Sequence, residues 1–145
     1  MTDKKNRSAD EQAVAELIKN VFSAYQKFDP SLVDQCDLPD CTLWDLFEPQ
    51  LVRGGRAARA EFRKKDMTDS ASRGELTINL EEPVIDVWDD FAVARYYLDY
   101  AFAPPGAMAG RVRVTTVARR VDGQWRRVHH HEGVVPTGRP AMEDT

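Results

Sequence analysis

The stretch from Arg111 to Pro136 constrains the fold most strongly, because its pattern is typical of two long β-strands joined by a tight turn. Asp122-Gly123 lies between two runs rich in β-branched residues. This dipeptide favours a type I′ turn, in which both central residues need a positive φ. All three histidines of the chain, at positions 129–131, fall in the second run. The sequence therefore predicts a long β-hairpin that carries every imidazole of the protein.

Length and composition predict a single globular domain. The chain has 145 residues, of which 42% are hydrophobic and 30% charged, and this balance is ordinary for a domain with a real core. We expect one domain over residues 8–136, flanked by polar tails at residues 1–7 and 137–145.

Charge and hydropathy argue against two classes of partner. The net charge is −4, whereas nucleic acids and anionic membranes call for a basic surface. A basic run from Arg53 to Lys65 is interleaved with alanines, so we expect a solvent-exposed helix face there. No window approaches about 18 apolar residues, and the N-terminus lacks the apolar segment of a secretory signal. We therefore expect a cytoplasmic protein with reduced cysteines and no nucleic-acid or membrane partner.

The first half of the chain predicts three helices and one strand. Apolar residues at three- and four-residue spacing indicate a helix over residues 8–28, and Pro30 can begin a short second helix. Residues 36–40 are expected to turn, and residues 42–48 to form a strand. Gly54-Gly55 then breaks the chain before a helix over residues 56–67.

The second half predicts an antiparallel meander. Strands are expected at residues 76–80 and 84–88, interrupted at Pro83, then at 91–102 and in the C-terminal hairpin. Helices followed by such strands indicate an α+β fold: a cone-shaped barrel of a curved, mostly antiparallel sheet wrapped around the N-terminal helices. The open end of this cone is the expected place for a pocket.

Several motifs resemble the nuclear transport factor 2-like superfamily over residues 10–136. They are the segment LVRGGRAARAEF, Phe47-Glu48-Pro49, Glu82-Pro83, and the ending Asp122-Gly123-x-Trp125-x-x-Val128-His129-x-His131. The nearest branches are the SnoaL-like polyketide cyclases and the association domain of calcium/calmodulin-dependent kinase. The superfamily includes isomerases, cyclases, dehydratases and assembly modules, so the resemblance implies the fold and leaves the function open.

The resemblance implies candidate catalytic residues. Asp45 stands where the ketosteroid isomerase branch has its catalytic aspartate, and Tyr25 on the first helix is a candidate oxyanion donor. The second acid of that branch is absent, because the corresponding strand offers Thr115 and Thr116. Two pocket arginines of the kinase association domains are likewise replaced, by Leu98 and Thr116.

Residue chemistry supports Asp45 as the first candidate. It is expected in mid-strand between Trp44 and Leu46, where apolar surroundings would raise its pKa toward that of a general base. The alternative is a carboxylate that faces solvent or pairs with an arginine. Glu48, three residues on, is the alternative acid, or it simply ends the strand.

Further candidates are expected to line the cone. Tyr96 and Tyr100 share the more apolar face of their strand, where they could orient a ligand or serve only as core aromatics. We expect the ligand-binding set to comprise Trp44, Glu48, Tyr96, Tyr100, Thr116 and Glu132.

Side chains alternate between the two faces of a strand, so the three histidines are expected on different faces. His130 and Glu132 lie on the face of Val128 and Arg126, which analogy with the association domains directs into the pocket. There His130 could form an acid/base pair with Asp45 that titrates near neutrality. His129 and His131 lie on the other face, where they could pack in a subunit interface. A metal on this pair would need further ligands and the chain has no other histidine, so we expect neither metal nor cofactor.

These features predict a small-molecule pocket protein. The favoured function is a cofactor-independent enzyme that performs proton-transfer chemistry of the isomerase, cyclase or dehydratase type on a small organic ligand. The alternative is a non-catalytic ligand-binding or oligomerising module. A homodimer is expected through the outer sheet face, with Trp125, Tyr97, Val93 and Phe91 at the interface.

Overall fold

The computed structural model describes residues 7–136, so nearly all of both predicted tails lies outside the described residues. Three helices and six strands follow one another in the predicted order. They are α1 (Ala9–Gln26), α2 (Pro30–Asp34), β1 (Asp37–Trp44), α3 (Gly55–Arg73), β2 (Leu76–Leu80), β3 (Val84–Trp88), β4 (Phe91–Phe102), β5 (Ala109–Val121) and β6 (Gln124–Val134). Within residues 7–136, no helix is long and apolar enough to cross a membrane.

Helix α1 supplies the apolar side of the core. The Ser8 hydroxyl caps its start by accepting a hydrogen bond from the Glu11 amide at 3.1 Å. The buried stripe packs against the sheet and comprises Val14, Leu17, Ile18, Val21 and Phe22. Helix α2 then begins with Pro30 behind the Asp29 cap, as proline in a first turn allows.

The α+β prediction is confirmed, with one difference in the closure of the sheet. The six strands form one curved sheet in the order β1-β6-β5-β4-β2, and β3 also pairs with β4. β1 and the β2–β3 segment form separate edges, so the sheet is open and not a closed barrel. The meander is antiparallel, whereas β1 adds to β6 in parallel at the edge.

The hairpin at the centre of the prediction is present. Asp122 has φ of 52° and Gly123 has φ of 77°, which are the two positive angles that a type I′ turn needs. Strands β5 and β6 pair on either side of this turn over nearly their whole length. They place the histidines beside the threonines of β5, with Thr116 opposite His130.

Two predicted boundaries are wrong in the first half of the chain. Residues 37–40 belong to β1 and not to a turn, and β1 ends at Trp44, so that Asp45 follows the strand. Pro39 misled the prediction, although proline is tolerated here because β1 is an edge strand. Helix α3 continues six residues past the predicted end at Met67, to Arg73 before Gly74.

A bulge in β6 changes which side chains face inward. Pairing passes from Arg127 with Ala118 to His129 with Val117, so Val128 has no partner on β5. As a result Trp125 and Arg127 are buried on the same side as His130. The predicted inward position of His130 holds. Two other predictions are wrong. Val128 and Arg126 do not share the inward face with His130, and Trp125 is buried and does not lie at an outer interface.

A buried charge cluster joins α3 to the sheet. Asp37 on β1 is fully buried beside Arg59 and Arg63 of α3 and Arg127 of β6. The Asp37 carboxylate accepts from Arg127 Nε at 2.6 Å and from Arg63 Nη2 at 2.9 Å. The predicted solvent-exposed face of the basic run is therefore wrong for Arg59 and Arg63, which are 0% and 5% exposed.

The arginines hold Asp37 in its ionised form. Burial alone would raise the pKa of Asp37, but the charges of Arg127, Arg63 and Arg59 outweigh burial and lower it. A buried carboxylate shared by several arginines stabilises a fold only as a complete set, because removing it leaves uncompensated buried cations.

We predict that Asp37→Asn destabilises the protein by about 3–5 kcal/mol, the usual cost of breaking a buried ion pair. Chemical denaturation at neutral pH measures the effect. Asp40→Asn, an exposed position of the same strand, is the control and should change stability little. A loss below about 1 kcal/mol for Asp37→Asn, as for a surface ion pair, would contradict the structural role of the cluster.

Candidate functional site

A cavity opens on the concave side of the sheet between α1, α3 and the segment that follows β1. It encloses about 80 Å³. An inner recess of about 40 Å³ continues toward the buried charge cluster. The cavity and the recess share five of their lining side chains, which are Phe22, Tyr25, Asp45, Asp66 and Glu132.

The walls and floor of the cavity differ in chemistry. Its walls are mostly apolar and include Leu46, Phe47, Ile78, Leu98, Phe102 and Val112. Its polar groups are three carboxyls, the phenols of Tyr25 and Tyr100, and the Ser70 hydroxyl. The enclosed space is smaller than the roughly 150 Å³ of an apolar cavity that admits benzene. A larger substrate would therefore place only its reacting end inside and extend through the mouth.

Three different elements bring the carboxyls together. Asp45 follows the end of β1, Asp66 lies on the buried face of α3, and Glu132 lies near the end of β6. Each is partly or largely buried in an apolar setting, which disfavours the ionised form. The cavity therefore concentrates groups that exchange protons.

Asp45 and Glu132 form a coupled pair. Burial raises the pKa of Asp45 to about 7, with a further rise from the charge of Glu132. Burial likewise raises the pKa of Glu132, while the charges of Arg127 and Arg63 oppose that rise. Asp45 is thus a carboxyl that exchanges its proton near neutral pH beside a second acid whose pKa is also raised.

Backbone amides fix both carboxyls of this pair. Asp45 Oδ2 accepts from the Phe47 amide at 2.9 Å, and Glu132 Oε1 accepts from the Leu46 amide at 3.3 Å. The segment after β1 therefore carries one carboxyl and orients the other.

Asp66 and Tyr25 form a second polar group on the opposite side of the cavity. The Tyr25 hydroxyl donates to Asp66 Oδ2 at 2.6 Å and lies 2.8 Å from Ser70 Oγ. Burial, followed by the charge of Asp66, raises the pKa of Tyr25, which therefore remains a neutral phenol. Burial and the charge of Asp45 raise the pKa of Asp66 to about 6.

His130 lies behind Glu132 in a chain of buried hydrogen bonds. Its Nε2 is 3.0 Å from Glu132 Oε2, and its Nδ1 is 3.2 Å from Thr116 Oγ1. Thr116 Oγ1 is in turn 3.0 Å from the Tyr96 hydroxyl. With Glu132 ionised, Nε2–H donates to Glu132, and Nδ1 accepts from Thr116.

The protonation state of His130 differs from the prediction. Burial, followed by the charge of Arg127, holds the pKa of His130 well below its ordinary value, so the ring is neutral at pH 7. The expected His130–Asp45 pair that titrates near neutrality is therefore wrong. The group that titrates there is Asp45, and its partner is Glu132.

The remaining predicted residues lie at different distances from the cavity. Tyr100 lines it, with its ring 6.2 Å from that of Phe47. Glu48 lies at the mouth, where its carboxylate accepts from the Gln50 amide. Trp44 is 39% exposed beside His131 on the outer sheet face, away from the cavity. Tyr96 and Thr116 are buried behind the wall, within the chain that ends at Glu132.

Sequence reasoning missed the contribution of α3. Arg59, Arg63, Asp66 and Ser70 recur at intervals of three and four residues, so they share one helix face. That periodicity was visible in the sequence, but such a polar stripe ordinarily faces solvent. Here Asp37 and Tyr25, on elements packed against the helix, provide its partners.

The polar groups of the site can exchange protons. Among residues 7–136, no group of three or more His, Cys, Asp or Glu side chains has the arrangement to hold a metal ion. Arg73 lies at the mouth, with its guanidinium carbon 4.8 Å from the centre of the Phe47 ring. The arrangement offers one carboxyl that titrates near neutrality, a second with a raised pKa, and a neutral phenol between α1 and α3.

Solved structures with the same fold come from several bacteria. A candidate calcium/calmodulin-dependent protein kinase II association domain from Xanthomonas campestris matches with a TM-score of 0.77 and 20% identity, over 95% of each chain. An NTF2-like protein of unknown function from Pseudomonas putida has a TM-score of 0.78 and 19% identity, over 92% of this chain and 99% of its own.

A candidate ketosteroid isomerase from Shewanella frigidimarina has a TM-score of 0.71 and 21% identity, over 83% of this chain and 94% of its own. At these identities the likeness shows the fold alone. None of the curated proteins matches the chain.

The family comparison covers most of the chain. The model of the SnoaL-like domain matches residues 14–137, which include most of α1, the whole sheet and every residue of the site. This match agrees with the resemblance seen in the sequence motifs. The chain belongs to the SnoaL-like domain family, within the nuclear transport factor 2-like superfamily.

Proposed function

We propose that the protein is a cofactor-independent enzyme that moves a proton on a small organic substrate, in a reaction of the isomerase, cyclase or dehydratase type. The observation that carries this proposal is Asp45, a cavity carboxyl whose pKa is raised to about 7 beside a second carboxyl. A general base is most effective when its pKa lies near the working pH. The similarity to a candidate ketosteroid isomerase is consistent with such chemistry.

In this proposal Asp45 is the base. As the carboxylate it takes a proton from an acidic C–H or O–H bond of the substrate, and as the neutral acid it returns that proton to another atom. The charge of Glu132 favours the protonated form of Asp45. His130, Thr116 and Tyr96 act through Glu132 by fixing its orientation, so they are positioning residues.

Tyr25 is the candidate donor to an oxygen that gains negative charge. Its single hydroxyl hydrogen lies in the bond to Asp66 while Asp66 is ionised. When Asp66 is protonated, Asp66 can donate to the Tyr25 oxygen, and the phenol hydrogen becomes free to point into the cavity. The productive state therefore combines ionised Asp45 with neutral Asp66. Because the pKa of Asp66, about 6, lies below that of Asp45, about 7, this is the less populated of the two singly ionised states.

A second function, self-association, is favoured by the outer face of the sheet. Val84, Trp88, Phe91 and Tyr97 lie exposed there on neighbouring strands β3 and β4. Contiguous exposed apolar residues are typical of protein–protein contacts. The similarity to a candidate kinase association domain agrees with this role. We propose a homodimer through this face, which would be compatible with catalysis in each subunit.

The raised pKa of Asp45 predicts a pH-dependent stability that needs no substrate. The folded state holds this proton up to about pH 7, whereas the ordinary carboxyl value is 3.8. Stability should therefore fall as the pH rises between these values, by at most about 1.4 kcal/mol per pH unit. Asp45→Asn lacks the charge, so its unfolding free energy relative to the wild type should increase over that range and level off above it.

Urea denaturation of both proteins at a series of pH values measures this difference. Asp40→Asn removes an exposed carboxyl and should show no comparable trend. A constant difference between Asp45→Asn and the wild type from acid to neutral pH would mean that Asp45 has an ordinary pKa.

Proton abstraction can be detected before the natural substrate is known. We expect the wild type to accelerate exchange of the α-hydrogens of cyclic ketones such as cyclohexanone in deuterium oxide, followed by NMR. Asp45→Asn should reduce the enzymatic rate by about 10²–10⁴-fold, the usual contribution of a general base. Asp40→Asn should retain the full rate.

Two outcomes would weigh against this proposal. Full exchange activity in Asp45→Asn would show that another group is the base. No exchange by the wild type with any ketone, combined with unchanged self-association in Asp45→Asn, would favour the binding or association role.

The dimer can be tested separately. Trp88→Glu places a charge on a residue that is 59% exposed and pairs with Phe91 at the turn end of the apolar face, and it should convert the dimer into a monomer in light-scattering measurements. Leu32→Glu, an equally apolar-to-acidic change at an exposed residue of α2, should leave the dimer intact. A wild-type monomer, or a dimer that survives Trp88→Glu, would refute this interface.

A further inference from the structure

A second concavity lies on the outer side of α1, between that helix, α2 and the start of β6. Its volume is about 390 Å³, several times that of the carboxyl-lined cavity. This is within the range of small-molecule sites. We call it the α1–α2 groove, and Leu17, Lys27, Leu32, Trp125 and Arg126 are among its lining residues. It shares no lining residue with the cavity, so it is a separate place for a ligand.

The charges of the groove are all positive. Lys27 and Arg126 line it, and none of its lining residues is an aspartate or a glutamate, although the whole chain carries a net charge of −4. Burial raises the pKa of the Cys36 thiol, which therefore adds no negative charge. The groove is thus a local cationic site on an acidic protein.

Carboxylates close to the groove in sequence are already occupied. Asp29 accepts from the Ser31 and Leu32 amides at the start of α2. Asp34 pairs with Arg56 and Arg59, and Asp37 lies among the buried arginines. Neither Lys27 nor Arg126 has a salt bridge among the residues that the structure describes, although the charge of Lys27 contributes to the lowered pKa of Asp29.

Several uncharged polar groups also lie on the groove with spare hydrogen-bonding capacity. The side chains of Asn20, Ser23 and Gln35 make no hydrogen bond within residues 7–136. Arg126 uses only Nη2, which donates to Gln124 Oε1 at 2.9 Å. Polar side chains of α1, of Gln35 after α2 and of β6 therefore line one concave surface, and most of their donors have no protein acceptor among residues 7–136.

The rest of the lining is apolar. Leu17 and Trp125 are core residues whose edges reach the groove, and Leu32 lies exposed at its side. A ligand that fits the groove therefore needs two parts. An apolar body would cover Leu17, Leu32 and Trp125, and an anionic group would contact Lys27 and Arg126.

We propose that the α1–α2 groove binds a small organic carboxylate with an apolar body. A carboxylate fits two cations and several neutral donors, since each of its oxygens accepts more than one hydrogen bond. The ligand is held outside the carboxyl-lined cavity, so its binding does not depend on the proposed catalysis.

Phenylbutyrate is a suitable probe, and phenylbutyramide is its uncharged counterpart of the same shape. We expect saturable shifts in two-dimensional amide NMR spectra of the full-length protein, at Leu17, Asn20, Ser23 and Arg126, with phenylbutyrate. The amide should bind at least about tenfold more weakly, because one charge-assisted hydrogen bond is worth about 1.4 kcal/mol.

Charge-matched variants separate the groove from general electrostatics. The double variant Lys27→Gln/Arg126→Gln should bind phenylbutyrate at least about tenfold more weakly than the wild type. The control double variant, Lys64→Gln/Arg113→Gln, loses the same net charge at exposed positions outside the groove. It should bind phenylbutyrate as tightly as the wild type does. Dispersed amide spectra establish that each double variant is folded.

Three results would overturn the proposal. They are an absence of saturable shifts at the groove, equal affinity for phenylbutyrate and phenylbutyramide, and equal weakening in the two double variants. Shifts that map only to Phe22, Tyr25 and Asp66 would place the carboxylate in the cavity and would likewise refute the groove as its site.

Discussion

The ionised Asp37 carboxylate, buried among Arg59, Arg63 and Arg127, is the interaction on which the rest of the structure depends. It joins the edge strand β1 to its neighbour β6 and to helix α3. Of the three carboxyls of the cavity, Asp45 directly follows β1, Glu132 lies on β6 and Asp66 lies on α3. The position of each carboxyl is therefore set by the same buried charge. Because cations outnumber Asp37 in the cluster, positive charge remains to act on nearby groups.

That remaining positive charge acts on the site through Glu132. The charges of Arg127 and Arg63 lower the pKa of Glu132 and offset part of the rise that burial causes. The charge of Glu132 in turn helps to raise the pKa of Asp45. A structural ion cluster thus acts on the proton affinity of the carboxyls beside it.

Much of the fold could be predicted from local patterns, because those patterns report backbone preference. The Asp122-Gly123 turn and the bounds of β2, β3 and β4 agree with the sequence prediction. What the sequence could not reveal were tertiary effects. The extra residue at Val128 reverses strand parity, so Arg127 and Trp125 face inward where alternation places them outward. Likewise, Arg59 and Arg63 are buried only because Asp37 lies opposite them.

The site was predictable in part for the same reason. The resemblance identified Asp45 and Tyr25, which do line one cavity. Asp66 was missed because nothing local distinguishes it from the other acids of α3, Glu61 and Asp69, and its partner Tyr25 is 41 residues away. Trp44 and His130 were assigned by alternation along strands. The early end of β1 and the burial of His130 behind Glu132 change what those residues can contact.

The central claim is that Asp45 is a proton carrier tuned to neutral pH, and its own titration tests this most directly. Carbon-13 NMR of the side-chain carboxyls, with Asp45 assigned by comparison with Asp45→Asn, gives the midpoint in the folded protein. A midpoint near the value of about 7 is expected. A midpoint near the ordinary carboxyl value of 3.8 would show that Asp45 is ionised throughout the neutral range, and the proposed mechanism would fail.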